Sequence, residues 1–307
     1  MKINWLKKIT LNGHHNAFTD LIVFDQALFC CFRQASNHVS GDGIICIVKL
    51  DMQGKKIGNS AIRIAYCDLR DPKLSISPDG KLILLAHARQ LNVANKQVSR
   101  NLTWVSQDGL SWSSAKKIAQ DHWWLWRLRW HNAVAYGFAY NRAANALDFY
   151  QGDPRRSFHK IAAGALSLQQ HNLGYPNESD VVFDDRQCFA LVRRDADTYT
   201  AQLGRSTFPF KQWVWQDLGF YLGGPVMVKL NSNTALVAGR IVYQQRLKTA
   251  LFKLDLHSGK TSETLLLPSA GDNSYPGLTL HDNTLYLSYY SAHEGEPSDV
   301  DLAQIVY

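Results

Sequence analysis

Short apolar runs alternate with polar turns along the chain, and the alternation repeats at a regular interval. Each copy has a strand rich in Val, Ile, Leu, Phe and Tyr, a short polar turn and a second such strand. The turns contain Asp, Asn, Gly and Pro, which tolerate tight-turn dihedral angles. No stretch has the periodicity of a long amphipathic helix, so the pattern predicts an all-β protein. The six copies lie at residues 17–33, 71–89, 126–142, 178–194, 224–240 and 274–291.

The interval between copies indicates the blades of a β-propeller. The copies begin about 40 to 55 residues apart, the spacing of four-stranded blades. A weaker third strand follows each hairpin, and a short fourth strand carries an aromatic residue and lysines, as in WSSAKKI at 112–118. WLKKI, at 5–9, has the same composition. We therefore predict one domain over 1–307, a six-bladed β-propeller with four-stranded antiparallel blades, whose N-terminal strand closes the last blade.

Charge and cysteine content limit the kinds of ligand and compartment that the sequence favours. Basic residues exceed acidic ones by 7 but are scattered, with no run of five. That distribution fits an anionic ligand and does not favour nucleic acid. Five cysteines without a C-x-x-C pair indicate buried apolar residues in a reducing compartment, and no zinc pattern is present.

Location is predicted from what the sequence lacks. No apolar run is long enough to span a bilayer, and the N-terminus has no signal-peptide block. We expect a monomer that binds no membrane. We expect it in the cytoplasm, or exported without a recognisable signal peptide.

Three segments carry a family resemblance. SQDGLSW, at 106–112, resembles the Asp-box of sialidases and related propellers, S-x-D-x-G-x-T-W, which is a structural turn. NESDVVFDDRQCFALVRR, at 177–194, resembles the sialidase order of Glu, strand, Asp-rich turn, strand and Arg. NSYPGLTLHDNTLYLSYY, at 273–290, resembles the last-blade segment that holds the catalytic Tyr. The chain thus resembles the sialidase (neuraminidase) superfamily of BNR, or Asp-box, six-bladed propellers.

The resemblance implies roles for particular residues. Tyr275 takes the place of the nucleophile and Glu178 that of the base that activates it. Arg193 and Arg240 match the second and third arginines of the triad that binds the substrate carboxylate. Asp42, in the loop after the first hairpin, is the best candidate for the proton donor, and His38 is the second. A turn role would also explain an Asp beside glycines.

One position departs from the family pattern. The first triad arginine normally lies in an F-R-I-P motif at the start of the first hairpin. Here the corresponding residues are Phe18, Thr19 and Asp20, so Thr19 replaces the arginine. The departure keeps open a propeller that binds carbohydrate without cleaving it.

The blade alignment predicts a ring of polar residues on one rim. In a propeller, innermost strands start and second strands end on the same rim, and five of the six second strands end in arginine. Such a ring either grips a carboxylate, sulfate or phosphate or is a salt-bridged rim that holds the blades together. Trp126 would either offer an aromatic face to a sugar or fill the core. The substrate-binding candidates are Arg33, Arg70, Asp71, Arg127, Arg193, Arg240, Trp126, Tyr290 and His293.

Tyr275 and Glu178 suggest a specific chemistry. A phenol with a pKa of about 10 is a poor nucleophile at neutral pH, but a neighbouring carboxylate can take its proton. Sialidases use a Tyr nucleophile, because an anionic substrate would repel a carboxylate. The alternatives are a packed ring beside Pro276 for Tyr275 and an ion pair with an arginine for Glu178.

The leading hypothesis is therefore a sialidase-like glycoside hydrolase that acts on a glycan with an acidic sugar. It would need no cofactor and no metal. Motifs of nucleotide-binding loops, serine hydrolases of the α/β type and zinc proteases are missing from the sequence. A non-catalytic carbohydrate-binding propeller and a protein-interaction propeller are the alternatives.

Overall fold

The structure, a computed structural model, describes residues 1–91, 94, 96–293, 295 and 297–307. Strands dominate this part of the chain, and one short helix, α1 (Leu168–His171), interrupts them. Within the described ranges, no helix is long and apolar enough to cross a membrane. The strands form six antiparallel sheets that are the blades of a propeller, which confirms the predicted fold class.

The strand bounds follow the repeat. In chain order the strands are β1 (Lys2–Lys8), β2 (His15–Phe24), β3 (Ala27–Ala35), β4 (Ile44–Leu50), β5 (Lys56–Ile62), β6 (Asp68–Ile76), β7 (Leu82–Leu91), β8 (Gln97–Ser106), β9 (Lys116–Ile118), β10 (Trp124–Leu125), β11 (Arg129–His131), β12 (Val134–Asn141), β13 (Ala146–Asp153), β14 (Ser157–Ser167), β15 (Pro176–Asp184), β16 (Gln187–Arg194), β17 (Gln202–Thr207), β18 (Val214–Asp217), β19 (Gly223–Lys229), β20 (Thr234–Tyr243), β21 (Arg246–Asp255), β22 (Thr261–Leu266), β23 (Asn273–His281), β24 (Thr284–Ser291) and β25 (Asp299–Val306).

Each blade runs outward from the central axis as a meander, and the last blade is closed by the N-terminus. Its order is β23–β24–β25–β1, with Lys2 opposite Val306 and Lys8 opposite Asp301. This pairing removes the open edges of the ring, as predicted. In the third blade the innermost strand is divided, because β10 and β11 both pair with β12 and leave residues 126–128 between them.

Burial follows the layered arrangement. The second strand of a blade lies between two neighbouring blades, so both of its faces are covered and its sequence is almost continuously apolar, as in ALFCCFRQA of β3. The outermost strands alternate or are exposed, as in β1 and β22. The five cysteines are free, and burial raises the pKa of the Cys30 thiol to about 12.

The turn at 106–112 ties two blades together. The Ser106 hydroxyl accepts a hydrogen bond from the Gly109 amide, and Asp108 accepts one from the Ser111 amide. The Trp112 indole donates to Ser60 of the first blade at 3.2 Å. Gly109 has a φ of +74°, and a side chain there would collide with the ring of Phe29, so this turn requires glycine.

The innermost strands share a backbone irregularity that positions the site. In five blades the register slips by one residue at the same level, which is a β-bulge. A bulge places two residues opposite one and turns a side chain out of the regular alternation. Four residues at these bulges have positive φ: Phe18, Asp71, Gly224 and Tyr275. The bulges therefore gather side chains from different blades at one level of the central axis.

Candidate active site

Three polar side chains from two blades meet at the level of the bulges. Tyr275 lies on the bulge of β23, Glu178 on that of β15, and Arg193 near the end of β16. The Tyr275 hydroxyl donates to Glu178 Oε1 at 2.7 Å, and Arg193 Nη1 donates to the same oxygen at 2.7 Å. Arg193 Nη1 also lies 3.3 Å from the Tyr275 hydroxyl. The structure thus brings together the predicted nucleophile, base and second arginine.

The backbone completes the environment of Glu178. The amide of Gly224 donates to Glu178 Oε2 at 2.6 Å. Gly224 has a φ of +57°, and a Cβ there would lie 3.1 Å from the Tyr275 ring. Glycine at this position therefore allows the amide to face the carboxylate while the ring stays close.

Electrostatics fix the protonation states of the pair. Burial alone would raise the pKa of Glu178, but the charge of Arg193 and the hydrogen bonds to the carboxylate outweigh it and hold the pKa below its usual value. Burial, followed by the charge of Glu178, raises the pKa of Tyr275 well above its usual value. The resting pair is therefore a neutral phenol and a carboxylate. The phenol can act as a nucleophile only if Glu178 takes its proton during the attack.

Arg240 forms a second cluster beside this pair. Its Nη2 donates to Asp272 Oδ1 and to the Tyr290 hydroxyl, both at 2.7 Å, and that hydroxyl donates to Asp272 Oδ2 at 2.8 Å. The Tyr290 ring is nearly parallel to the Tyr275 ring, with centroids 6.1 Å apart. The predicted third arginine thus lies near the predicted nucleophile with its charge already paired to an acidic side chain.

Asp71 is the third carboxyl group at this level. It is buried on the bulge of β6, and burial raises its pKa to about 6 although Lys73 and Arg70 oppose the shift. The charge of Glu178 also raises the pKa of Asp71, and Asp71 in turn contributes to the raised pKa of Tyr275. Asp71 is thus close enough to the Tyr275–Glu178 pair for its charge to raise the pKa of Tyr275.

Several buried polar atoms at the bulges lack a protein partner. Among the described residues, Asp71 Oδ1, the Trp126 indole nitrogen and Arg70 Nε make no hydrogen bond. The centroids of the Trp126 and Tyr275 rings lie 6.0 Å apart, and the Lys73 ammonium lies 5.1 Å from the centroid of the Trp126 ring. Leaving such a group unpaired costs about 1–3 kcal/mol. Orphaned donors and an orphaned acceptor around one axis are typical of a site that binds a polar ligand.

Arg127 lies in a buried cluster that joins the blades. It is 4% exposed, and its Nη1 bonds Asp20 at 2.7 Å. Asp20 also accepts from the Leu74 amide of the second blade, at 2.8 Å. Asp180 accepts from Arg129 in the third blade at 2.6 Å. These contacts place Arg127, which the sequence put among the substrate-binding candidates, in the structural centre of the ring.

Arg33 and Arg70 hold a loop. Arg33 is 0% exposed; it donates from Nε to Asp68 and from its two terminal nitrogens to the carbonyls of Asn37 and Ser40. Arg70 donates to Asp68 and to the carbonyl of His38. Arg33 is therefore buried and bonded to the loop at 36–42. It is not exposed on the rim, where the sequence analysis expected it to bind substrate.

Asp42 and His293 lie outside the Tyr275 cluster. Asp42 is exposed and accepts hydrogen bonds from the amide and hydroxyl of Ser36. These bonds lower its pKa to about 2, so the carboxylate carries no proton to donate at neutral pH and instead closes its own turn. His293 is exposed and accepts from the Ala270 amide at 3.2 Å.

The position of the missing arginine is filled by packing. The Thr19 hydroxyl is buried and donates to the Tyr275 carbonyl at 2.7 Å. The neighbouring Phe18 ring packs edge-on against Tyr275 at 4.9 Å and against His38 at 4.8 Å. Thr19 therefore anchors the backbone of Tyr275 and does not face a ligand.

The sequence analysis did not single out three tyrosines near Glu178, which are Tyr140, Tyr175 and Tyr221. The Tyr221 ring lies under the Arg193 guanidinium at 5.5 Å. Burial raises the pKa of Tyr140 well above its usual value, and Glu178 and Asp71 add to the shift. Burial also raises the pKa of Tyr175. A signal was available, because Tyr175 and Tyr221 each stand just before an innermost strand.

Among the described residues, no group of three or more His, Cys, Asp or Glu side chains could hold a metal ion.

Comparisons with known proteins bear on the fold. No protein-family model matches the chain, and no curated protein matches it significantly. A solved protein of unknown function from Dyadobacter fermentans matches with a TM-score of 0.82 at 16% identity, over 98% of this chain and 99% of that one. The NanB sialidase from Streptococcus pneumoniae matches with a TM-score of 0.73 at 9% identity, over 97% of this chain and 69% of that one. The α-L-arabinanase of Penicillium chrysogenum, complexed with arabinobiose, matches with a TM-score of 0.67 at 15% identity, over 95% and 93%.

These identities are too low to transfer a residue role or an activity. They agree with the architecture built above from the repeats and the sheet order. The chain therefore has the fold of the sialidases and the arabinanase, a six-bladed β-propeller, as the sequence resemblance implied.

Proposed function

We propose that the chain is a sialidase-like glycoside hydrolase that acts on a glycan bearing an acidic sugar. One observation carries the proposal: the Tyr275 hydroxyl lies 2.7 Å from the carboxylate of Glu178, and Arg193 touches both. This is the geometry of a nucleophile with its base in hydrogen-bond reach. The neighbouring sialidase and arabinanase structures support the broader class of glycan-cleaving propellers.

In the first step the Tyr275 oxygen attacks the anomeric carbon and the bond to the leaving oxygen breaks. Glu178 accepts the phenolic proton, and an acid donates a proton to the leaving oxygen. In the second step water attacks the same carbon and the bond from that carbon to the Tyr275 oxygen breaks. The acid's conjugate base takes a proton from that water, and Glu178 returns its proton to Tyr275. The two displacements retain the configuration of the sugar.

Asp71 takes the role of the acid in this proposal. The sequence assigned that role to Asp42, whose pKa of about 2 and bonds to Ser36 do not suit it. Asp71 is buried, is electrostatically coupled to Tyr275 and Glu178, and has a pKa of about 6. A pKa near the working pH allows a carboxyl group both to donate and to accept a proton during one turnover.

Arg193 and Arg240 are proposed to hold the anionic group of the sugar. Both lie beside Tyr275, and forked guanidinium groups grip carboxylates well. Asp272, whose side chain is 41% exposed, already pairs with Arg240. An acidic substrate would exchange with this carboxylate, which is partly exposed and can be hydrated while Arg240 keeps an anionic partner.

The experiment is hydrolysis of a panel of aryl glycosides, including a sialoside and uronides, by wild type, Tyr275→Phe and Tyr286→Phe. Tyr286 is on the same blade, and its hydroxyl bonds the Met52 carbonyl, away from the site. Turnover of one glycoside that Tyr275→Phe abolishes and Tyr286→Phe preserves is the expected result. Turnover that survives in Tyr275→Phe would overturn the mechanism.

A carbohydrate-binding propeller without turnover is the second candidate. Thr19 in place of an arginine and the Phe18 ring against Tyr275 favour it, because they reduce both the charge and the space at the centre. Glycan binding that is unchanged in Tyr275→Phe, with no cleavage of any glycoside, would support this reading.

A further inference from the structure

A second cavity opens on the same rim, between the first and second blades. It has a volume of about 440 Å³ and is lined by Val39, Gly41, Tyr66, Asp68, Arg89, Gln90, Leu91 and Gln97. These residues come from the loop after β3, the loop before β6, and the adjoining ends of β7 and β8. We call it the blade 1–2 cleft.

Apolar side chains in the cleft are unusually exposed. Tyr66 is 98% exposed, Val39 is 79% exposed and Leu91 is 61% exposed. Tyr66 also has a φ of 56°, a conformation that is uncommon for a bulky residue. The positive φ belongs to the tight turn in which the Cys67 amide bonds the Ile64 carbonyl at 3.2 Å. The turn does not explain why an aromatic ring at this position is almost fully exposed. Clustered exposed apolar residues beside a cleft mark a binding surface.

The rest of the lining is polar. Arg89 donates to Gln97 at 3.0 Å, and Gln90 adds an amide. The Asp68 carboxylate is buried at the base of the cleft and is already paired with Arg33 and Arg70. An aromatic face with planar hydrogen-bonding groups around it matches a sugar, which has an apolar C–H face and hydroxyl groups at its edge. A flat protein interface would need more apolar area than three separate side chains provide.

A layer of buried side chains separates the cleft from the candidate active site. Tyr275 packs against Phe18 at 4.9 Å, and the Arg70 guanidinium lies 5.3 Å from the Phe18 ring. Arg70 bonds Asp68 at 3.1 Å, and Asp68 lines the cleft. Phe18, Arg70 and Asp68 therefore lie in series between Tyr275 and the cleft.

We propose that the blade 1–2 cleft binds the neutral sugars of the glycan beyond the sugar held at Tyr275, with one ring stacked on Tyr66. The inference rests on the proposed function, because it concerns the remainder of the same ligand. It predicts a preference for glycans of three or more sugars over a single terminal sugar. Loss of the Tyr66 ring weakens binding of such glycans about tenfold.

The test is binding to a glycan array that carries sialylated and uronic-acid glycans of one to six sugars and their neutral counterparts. All proteins carry Tyr275→Phe to prevent cleavage, and three of them add Tyr66→Ala, Tyr66→Phe or Tyr199→Ala. Tyr199 is a matched control, since it is 53% exposed with a φ of 58° but lies on the fourth blade. We expect Tyr66→Ala to lose binding of the longer glycans, whereas Tyr66→Phe and Tyr199→Ala retain it.

Binding that Tyr66→Ala leaves unchanged, equal losses in Tyr66→Ala and Tyr199→Ala, or no binding of any glycan would each overturn the cleft proposal. The failure of the proposed hydrolase is read separately, from the aryl glycoside panel. Binding that depends on Tyr66, without turnover by wild type, would reject the hydrolase and keep the cleft.

Discussion

The two halves of the central rim use the same residue type in opposite ways. In blades four to six, Arg193 and Arg240 reach tyrosine hydroxyls and keep part of their surface exposed, at 19% and 14% of the side chain. In blade one, Arg33 is fully buried and its donors are taken by a carboxylate and two loop carbonyls. All three arginines stand at or near the end of a second strand. The same residue type is thus fully enclosed by a loop in blade one and partly exposed beside tyrosine hydroxyls in blades four and five.

Replacing the scaffold arginine should have the largest effect. Arg33→Met leaves two loop carbonyls and part of Asp68 without donors, so we expect the free energy of unfolding to fall by about 3 kcal/mol. The matched variant Arg240→Met removes donors from Asp272, the Tyr290 hydroxyl and the Asn273 carbonyl. Its loss should be smaller, at about 1–2 kcal/mol, because Asp272 is 41% exposed and can be hydrated. Thermal or urea unfolding of both variants measures the contrast. Equal losses in the two variants would refute the division of the rim.

The pH dependence of kcat/KM tests whether Asp71 is the acid. If Asp71 is the acid, activity needs it protonated, so kcat/KM should fall as pH rises above about 6. Glu178 must be ionised, and its lowered pKa keeps it so through this range. Asp71→Asn should remove the fall in kcat/KM near pH 6. It should also slow hydrolysis of glycosides with poor leaving groups more than hydrolysis of aryl glycosides. A limb near pH 6 that persists in Asp71→Asn would assign it to another group.

The same carboxyl group should make stability depend on pH. Its pKa is raised in the folded protein, so the folded state prefers the protonated form. That contribution is fully present below the unfolded pKa of about 3.9 and is lost as pH rises through about 6. Asp71→Asn should therefore raise the Tm relative to wild type more at pH 8 than at pH 4. The same difference in Tm at both pH values would contradict the raised pKa.

The smallest expected effect concerns Asp272. Asp272→Asn removes a carboxylate that competes for Arg240, so an acidic glycoside should bind up to about fivefold more tightly. A neutral glycoside should be unaffected, because it makes no demand on that charge. Measuring KM for both substrates separates these results. An equal change in both would indicate that Arg240 does not bind an anion.

The fold was predictable because its signals are local. Each hairpin is recognisable from two apolar runs and the turn between them, and six copies at blade spacing indicate the ring. The N-terminal strand was found by its similarity to other fourth strands, and it pairs with β25 as expected. Glu178 and Arg193 could be paired from their spacing within one hairpin.

The rest of the site depends on contacts that no local pattern encodes. Tyr275 and Glu178 are 97 residues apart and meet only because the ring closes. Arg33 and Arg193 look alike in sequence, and only the conformation of the loop at 36–42 separates their roles. Asp71 entered the sequence analysis only as a substrate-binding candidate, because the burial that separates its pKa from that of Asp42 is a tertiary property.

The central claim is that Tyr275 attacks the sugar. A direct measurement is mass spectrometry of the intact protein and its peptides after reaction with a fluorinated, activated glycoside of the sugar that the panel identifies. A fluorine beside the anomeric carbon slows the second step, so a covalent glycosyl enzyme should accumulate. The account predicts one added sugar per chain on the peptide that contains Tyr275, and none in Tyr275→Phe. A sugar attached elsewhere, or turnover without any adduct, would contradict it.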